Sequence, residues 1–438
     1  MNRRDFTRRM SLALSGLGLL PGALRPQGRT SLRVNGARLN QTLDRLGQIG
    51  RNAATGGINR LAFSEADREA RSYVADLMRA ARLEVSIDAA ANLIGRRPGR
   101  QASLPPLMFG SHIDSVPEGG NFDGPVGSLA AIEVAQTLAD RGAATRHPLE
   151  VVIFANEENG KTGSRAMSGE VEARELDLIT ASGKTIRDGL AFLGGEPGNL
   201  DRARRPGGSV AGFLELHVEQ GAVLDQAALP IGGVEGIVGI KRWNVTVEGF
   251  ANHAGTTPMD ARQDALLAAA RFVDAVHRLT RERAGRQVAT VGRIRAEPGA
   301  PNVIPGRAEM SLEIRDLEMS RIDLVFRTLS DAAREIGAAT GTTFGFTQFY
   351  TSHAAPTVEP LRRVIESAAR DLGLATMRLP SGAGHDAQSI ALFAPIGMIF
   401  VPSVGGISHS PREHSRPEDI TAGANVLLQA VLDLDGSV

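Results

Sequence analysis

The sequence contains no cysteine, which excludes disulfides and thiolate ligands, so any metal must be held by histidine and carboxylate. It has no surplus of charge: 49 Lys and Arg balance 49 Asp and Glu, and nothing electrostatic points to nucleic acid as a partner. It lacks an apolar run long enough for a stable membrane span, since the apolar stretch Ser11–Leu20 is about half the roughly 20 residues a spanning helix needs. It shows no internal repeat and no long low-complexity tract. What it does have is length, and 438 residues exceed one ordinary core, which predicts two domains.

The first residues stand apart from the fold. Arg3-Arg4-Asp5-Phe6 precedes that apolar run, with Pro21 after it, a pattern that resembles a twin-arginine export signal. A clean Ala-x-Ala is missing, so cleavage is expected between Ala23 and Ser31. A basic tail is the alternative. The export reading predicts a periplasmic or secreted mature protein, folded and metal-loaded before it crosses.

Along the rest of the chain, apolar periodicity predicts helices over Leu39–Gly50 and Ala66–Ala81, the second capped by Ser64. Strands are expected over Leu83–Asp88, Asn92–Gly95 and Leu104–Phe109, then a helix over Val126–Ala139. Leu149–Ala155 is apolar throughout, as in a strand covered on both faces. Residues 169–209 read as irregular with short helical pieces, and Gly212–Val218 as another strand. This alternation argues for an α/β domain with a central mixed sheet. After Gly236 the texture changes. Arg242–Glu248 alternates, with Trp243, Val245 and Val247 on one face. A long helix Asp260–Arg283, strands Gln287–Ile294 and Ala308–Ile314, a helix Ile322–Gly337 and a strand Thr343–Tyr350 follow. Strand, helix, two strands, helix, strand predicts an inserted ferredoxin-like α+β sandwich. The first pattern then returns with helix Leu361–Leu372, strand Gly397–Pro402 and helix Ala422–Leu434. The expected division is signal 1–30, catalytic domain 31–236 and 352–438, and insert 237–351.

The chemistry gathers at strand ends. Gly110-Ser-His-Ile-Asp-Ser-Val-Pro-Glu-Gly-Gly-Asn-Phe-Asp-Gly124 is a polar turn between a strand and a helix, where open α/β sheets place their sites. His112, Asp123, Glu158, His217 and His409 all lie at or beside such turns. Five ligands serve two metals with three each only if one is shared, and a carboxylate has the two oxygens to do it. The reading is therefore His112, Asp123 and His217 for one ion, and Asp123, Glu158 and His409 for the other. Asp114 would orient His112 from behind. Glu157, adjacent to Glu158, would face the water as general base. Two divalent ions per subunit follow, with Zn2+ favoured and Mn2+, Co2+ or Ni2+ also suited to an N/O set.

These motifs, together with Phe154-Ala-Asn-Glu-Glu158, Glu215-Leu-His-Val-Glu-Gln-Gly221, Asn252-His-Ala-Gly-Thr-Thr-Pro-Met259, Pro301-Asn-Val-Ile-Pro305, Ser381-Gly-Ala-Gly-His-Asp-Ala387 and Gly406-Ile-Ser-His-Ser-Pro411, resemble the hydantoinase/carbamoylase amidases. That family includes N-carbamoyl-L-amino acid hydrolase, β-ureidopropionase and allantoate amidohydrolase, within the dinuclear metallopeptidase clan. The resemblance runs from about Leu39 to the C-terminus. His217, where the clan's peptidases carry Asp or Glu, favours the carbamoylase branch. The resemblance implies that Gln220, His253, Asn302, Arg315 and His385 hold the substrate, that His253 steadies the oxyanion, and that Arg315 takes its carboxylate. It also implies that the insert makes a homodimer and that the Asp123–Gly124 peptide is strained and cis. Plainer roles stay open: His253 capping a turn, Asn302 shaping its loop, Arg315 pairing with Glu313 or Asp316, His385 and Asp386 forming a loop pair. His147, His277, His353 and His414 match no motif. One departure stands out. Asn159-Gly-Lys-Thr-Gly-Ser164 is a shorter loop than the family commonly carries after its paired glutamates, and lacks that loop's Arg-Phe.

The functional expectation is a dinuclear amidohydrolase cleaving the linear amide or ureido C–N bond of an N-carbamoyl amino acid or related ureido acid. The rivals are an N-acyl amino acid hydrolase or dipeptidase of the same clan, and a silent exported binding protein.

Overall fold

The computed structural model describes residues 32–436, so the export-signal expectation lies outside the described residues. The chain forms two compact units, one from the described residues up to Glu235 with those from Thr357 on, the other Gly236–Pro356.

The larger unit is built on a nine-stranded mixed sheet. Its middle is four parallel strands in the order Leu149–Phe154, Leu107–His112, Gly212–Val218 and Ile396–Val401. Every residue of these four is buried, as their mainly apolar character predicts, and the polar Glu150, Ser111, His112, Glu215 and His217 are buried with the rest. Antiparallel strands flank them: Leu93–Arg97 and Glu84–Ile87 on one side, Ile231–Ile237 on the other, the last also pairing with Ala355–Pro356. Thr376–Ser381 pairs with Ile231–Ile237 off this path. Helix Pro125–Asp140 is apolar nearly all round because it is covered all round. It packs on Leu107–His112 and Gly212–Val218 and lies under helices Gly36–Leu46 and Pro417–Asp435. Ser64 caps helix Glu65–Ala80 through the Asp67 N–H, as expected. Parallel strands end at one edge of the sheet. His112 closes its strand, Glu157 and Glu158 follow Phe154 closely, and His217 is the penultimate residue of its strand.

The smaller unit is a four-stranded antiparallel sheet in the order Thr343–Ser352, Gly239–Glu248, Arg307–Asp316, Val288–Glu297. Helices Ala265–Glu282 and Met319–Thr340 cover one face, packing Phe272, Val276, Ile322 and Leu329 against Trp243, Val245, Val247 and Met310. This is the ferredoxin-like sandwich. The first helix starts at Ala265 rather than at 260, because the Asp264 carboxylate accepts from the N–H groups of Leu266 and Leu267 and so begins the helix there. The unit spans 236–356, against the expected 237–351, since its last long strand runs on to Ser352 and Ala355 and Pro356 then pair with Ile237 and Gly236 of the same unit.

Candidate metal centre

His112, Asp114, Asp123, Glu157, Glu158, His217, Gln220, His385 and His409 belong to the larger unit, and among them His112, Asp123 and His217, and Asp123, Glu158 and His409, form groups that could hold a metal ion. Asp123 is the hinge of the arrangement. Its Oδ1 lies 3.1 Å from His217 Nε2 and 3.7 Å from His112 Nε2. Its Oδ2 lies 3.2 Å from His409 Nε2, which is also 3.6 Å from Glu158 Oε2. The ligand atoms of His112, Asp123 and His217 all fall within 4.8 Å of one another, as do those of Asp123, Glu158 and His409. One carboxylate thus turns one oxygen to each trio.

The donors fit a metal better than they fit each other. His112 Nδ1 is 3.1 Å from the Asp114 carbonyl and His217 Nδ1 is 2.8 Å from the Val218 carbonyl. Those carbonyls accept the Nδ1 protons, which leaves a lone pair on each Nε2. His217 Nε2 is buried without a hydrogen bond although Asp123 Oδ1 is near. Lone pairs that converge without a shared proton suit a cation. The surrounding carboxylates favour positive charge at this spot: burial works against it, yet Asp114 and Asp123 raise His112 and Asp123 and Glu215 raise His217. Asp123 lifts His409 to about 9.

Glu157 Oε2 lies 3.9 Å from His112 Nε2, and burial pushes its carboxyl up to about 7, in the range a base needs near neutral pH. Asp114 does more than orient His112. Its two oxygens accept from the N–H groups of Glu157, at 3.3 Å, and Glu158, at 3.2 Å, and so fix the turn that separates the two glutamates. Asn156, Lys161, Gln220 and His409 all hold φ between 54° and 60°, a concentration of left-handed backbone at one site.

Two expectations change in detail. The Asp123–Gly124 peptide is not cis; among the described residues only Glu297–Pro298 is. Gly124 makes the turn instead, at φ 82°, where a Cβ would come 2.4 Å from the His112 ring. Gln220 does not stand free for substrate: its Nε2 donates to Asp123 Oδ2 at 2.6 Å. His385 is buried, kept neutral by that burial, and bonded through Nε2 to Ser381 Oγ at 2.7 Å.

His253, Asn302 and Arg315 belong to the smaller unit. His253 pairs with Val303 in a short ladder, and the Asn302 carbonyl accepts from Ala254. His253 Nδ1 caps a turn by accepting from the N–H groups of Gly255 and Thr256, so its Nε2 is the nitrogen left for another role. Arg315 Nε bonds Glu313 Oε1 at 2.6 Å, the plainer of its two expected roles.

Three residues of the centre have no place in the site expected from the sequence. Glu413 Oε1 accepts from the N–H groups of Phe122 and Asp123, and its Oε2 from Ser408 Oγ and the His409 N–H. It ties the loop of the shared carboxylate to the loop of His409. Glu215, buried on the same strand face as His217, accepts from Ser111 Oγ and the Ala387 N–H. Its i, i+2 spacing from His217 was the available clue. Asp386 is fully buried and held well above the usual carboxylate range by that burial.

Comparison with known proteins shows the family. Residues 108–433 match the peptidase family M20/M25/M40. The N-carbamoyl-L-amino acid amidohydrolase of Geobacillus stearothermophilus is 42% identical over 408 residues, 92% of this chain and 99% of that protein. The allantoate amidohydrolase of Bacillus subtilis is 33% identical, covering 87% of this chain and 94% of that one. A hydantoinase/carbamoylase family amidase from Burkholderia multivorans superposes with a TM-score of 0.85 at 36% identity, over 92% of this chain and 98% of its own.

Proposed function

The chain belongs to the peptidase M20/M25/M40 family as one of its hydantoinase/carbamoylase amidases, a hydrolase of non-peptide C–N bonds, and from that premise we propose a two-metal amidohydrolase of N-carbamoyl amino acids or related ureido acids. The observation that carries this reading is the division of Asp123: one oxygen toward His112 and His217, the other toward His409 beside Glu158. Divalent cations held there, with zinc the first candidate and manganese, cobalt or nickel also accepted by the donors, would lower the pKa of water and polarise the substrate carbonyl.

The chain's own residues do the rest. Glu157 takes the proton of the attacking water and returns it to the leaving nitrogen. The carbonyls of Asp114 and Val218 keep His112 and His217 in the tautomer that presents Nε2. His385 borders the centre as a substrate contact, while Gln220 holds Asp123 in place. His253 Nε2 is assigned the oxyanion, and Asn302 and Arg315 further substrate contacts, in a homodimer built through the smaller unit. A ureido acid then yields the amine, carbon dioxide and ammonia. Export through the twin-arginine pathway belongs to the same proposal.

The test is a screen of the metal-loaded protein on carbamoyl-amino acids, allantoate and acyl-amino acids. Turnover of the ureido compounds, with Glu157→Gln slower by about 100-fold or more at unchanged metal content, is the expected result. Preference for acyl-amino acids would make it an acyl hydrolase of the same family. A metal-loaded protein inert on the whole panel would leave only a binding protein.

A further inference from the structure

Lys161 is a cation the reaction above does not use. It closes the turn after the paired glutamates, its N–H donating to the Glu157 carbonyl at 2.9 Å and its φ at 56°. Helix Thr162–Ser168 starts directly from it. Its side chain reaches across the larger unit to the short helix Asp386–Ile390, where Nζ donates to Gln388 Oε1. A Cβ placed on Gly384 would lie 3.4 Å from that Nζ, so the absence of a side chain at 384 leaves room beside the ammonium. The charge therefore stands between the loop of Glu157 and the segment of His385, and both groups feel it: it eases ionisation of the first and disfavours charge on the second.

An ammonium has three N–H donors. The side-chain partner of this one is a neutral amide, and among the described residues no carboxylate is ion-paired with it. A half-buried cation with donors to spare, beside a substrate histidine and the general base, is an anion site awaiting its anion.

We propose that Lys161, braced by Gln388, binds a carboxylate of the substrate and is a specificity-determining residue of this amidase. The proposal rests on the amidohydrolase reading and adds to it the residue that recognises an acid group of the substrate. That acid is either the α-carboxylate or a side-chain carboxylate.

The experiment compares wild-type holoenzyme with Lys161→Met and Lys161→Arg on N-carbamoyl-L-alanine, N-carbamoyl-L-aspartate and N-carbamoyl-L-alaninamide, by turnover and by calorimetric binding. Loss of one charge-assisted contact predicts KM and Kd raised about 10- to 100-fold in Lys161→Met for the acids. The amide should change by less than about 3-fold, and Lys161→Arg should recover most of the loss. An effect on both acids assigns the α-carboxylate, and an effect on the aspartate compound alone assigns the side chain. Equal losses for amide and acids would show that Lys161 acts only through Glu157 and would overturn the proposal, as would no loss at all. If wild type turns over none of the three, the amidohydrolase reading falls. The calorimetric arm still decides Lys161: acid binding lost in Lys161→Met upholds it, and acid binding absent or unchanged overturns it.

Discussion

A single carboxylate, Asp123, organises the centre, and most of the residues that serve it could be named from their motifs. His112, His217, Glu157 and Glu158 were legible because each is a polar residue where a mainly apolar strand meets a turn, and His409 because it sits in the motif Gly406–Pro411 past the strand Ile396–Val401. Glu413 was not, because its work is hydrogen bonding to the backbone of a segment some 290 positions away, which leaves no spacing to read. That work is testable. Glu413→Gln replaces an acceptor of four hydrogen bonds by an amide whose NH2 faces donors. Removing such a support typically weakens metal binding about 10- to 100-fold. The ion expected at Asp123, Glu158 and His409 should weaken by that amount, and the one at His112 and His217 by less, since those rings are held by other carbonyls. Chelator competition reads both steps, and wild-type affinities at both would dismiss Glu413 as a ligand support.

Among the elements, the strands that found the sheet's middle were plain in the sequence, while Ile231–Ile237 and Thr376–Ser381 were not. The first holds Gly232, Gly233 and Gly236, residues that disfavour strands on propensity. Packing asks for two of them: a Cβ on Gly232 would come 2.6 Å from Leu379 of the neighbouring Thr376–Ser381, and one on Gly236 would come 2.8 Å from Pro356. Helix Pro125–Asp140 makes the same point with an opposite sign of prediction. Gly127 sits in its first turns, so propensity alone says Gly127→Ala should stabilise by about 1 kcal/mol. Yet a Cβ there would lie 2.0 Å from the Leu216 carbonyl, on the strand that carries His217. Backbone overpacking of this kind costs about 1–3 kcal/mol or more. Gly127→Ala is therefore expected to lower stability in urea unfolding and to weaken metal binding through the displaced strand. A stabilised variant would mean the helix can slide outward at no cost.

At the scale of the whole chain, stability should depend on pH and on metal in separable ways. Asp67 is buried at the start of helix Glu65–Ala80; its Oδ2 accepts from the Phe63 N–H while Oδ1 has no partner. Burial lifts it to about 6 against the favourable charges of Arg71 and Arg60. A carboxyl raised on folding stabilises fully below its unfolded pKa, near 4, and loses that contribution as pH climbs through its folded value. A rise from near 4 to about 6 corresponds to about 3 kcal/mol, so Asp67→Asn should be free of this decline between about pH 4 and 7. Urea melts of the two proteins across that window give the comparison, and parallel curves would remove Asp67 as the cause. Metal acts on a different part. All five candidate ligands lie in the larger unit, at strand ends and on loops far apart in sequence, so ions bound there would hold the folded state of that unit together. Saturation at 100 times Kd is worth about 2.7 kcal/mol per ion. The smaller unit closes its own core over its own sheet and contributes none of those ligands. Scanning calorimetry with and without chelator should therefore show the larger unit's transition falling while the smaller unit's stays in place. His409→Ala should reproduce part of that fall without chelator. If both transitions moved together, the two units would share one cooperative unfolding and the metal centre would stabilise the whole chain; if neither moved, the trios around Asp123 would not be holding ions.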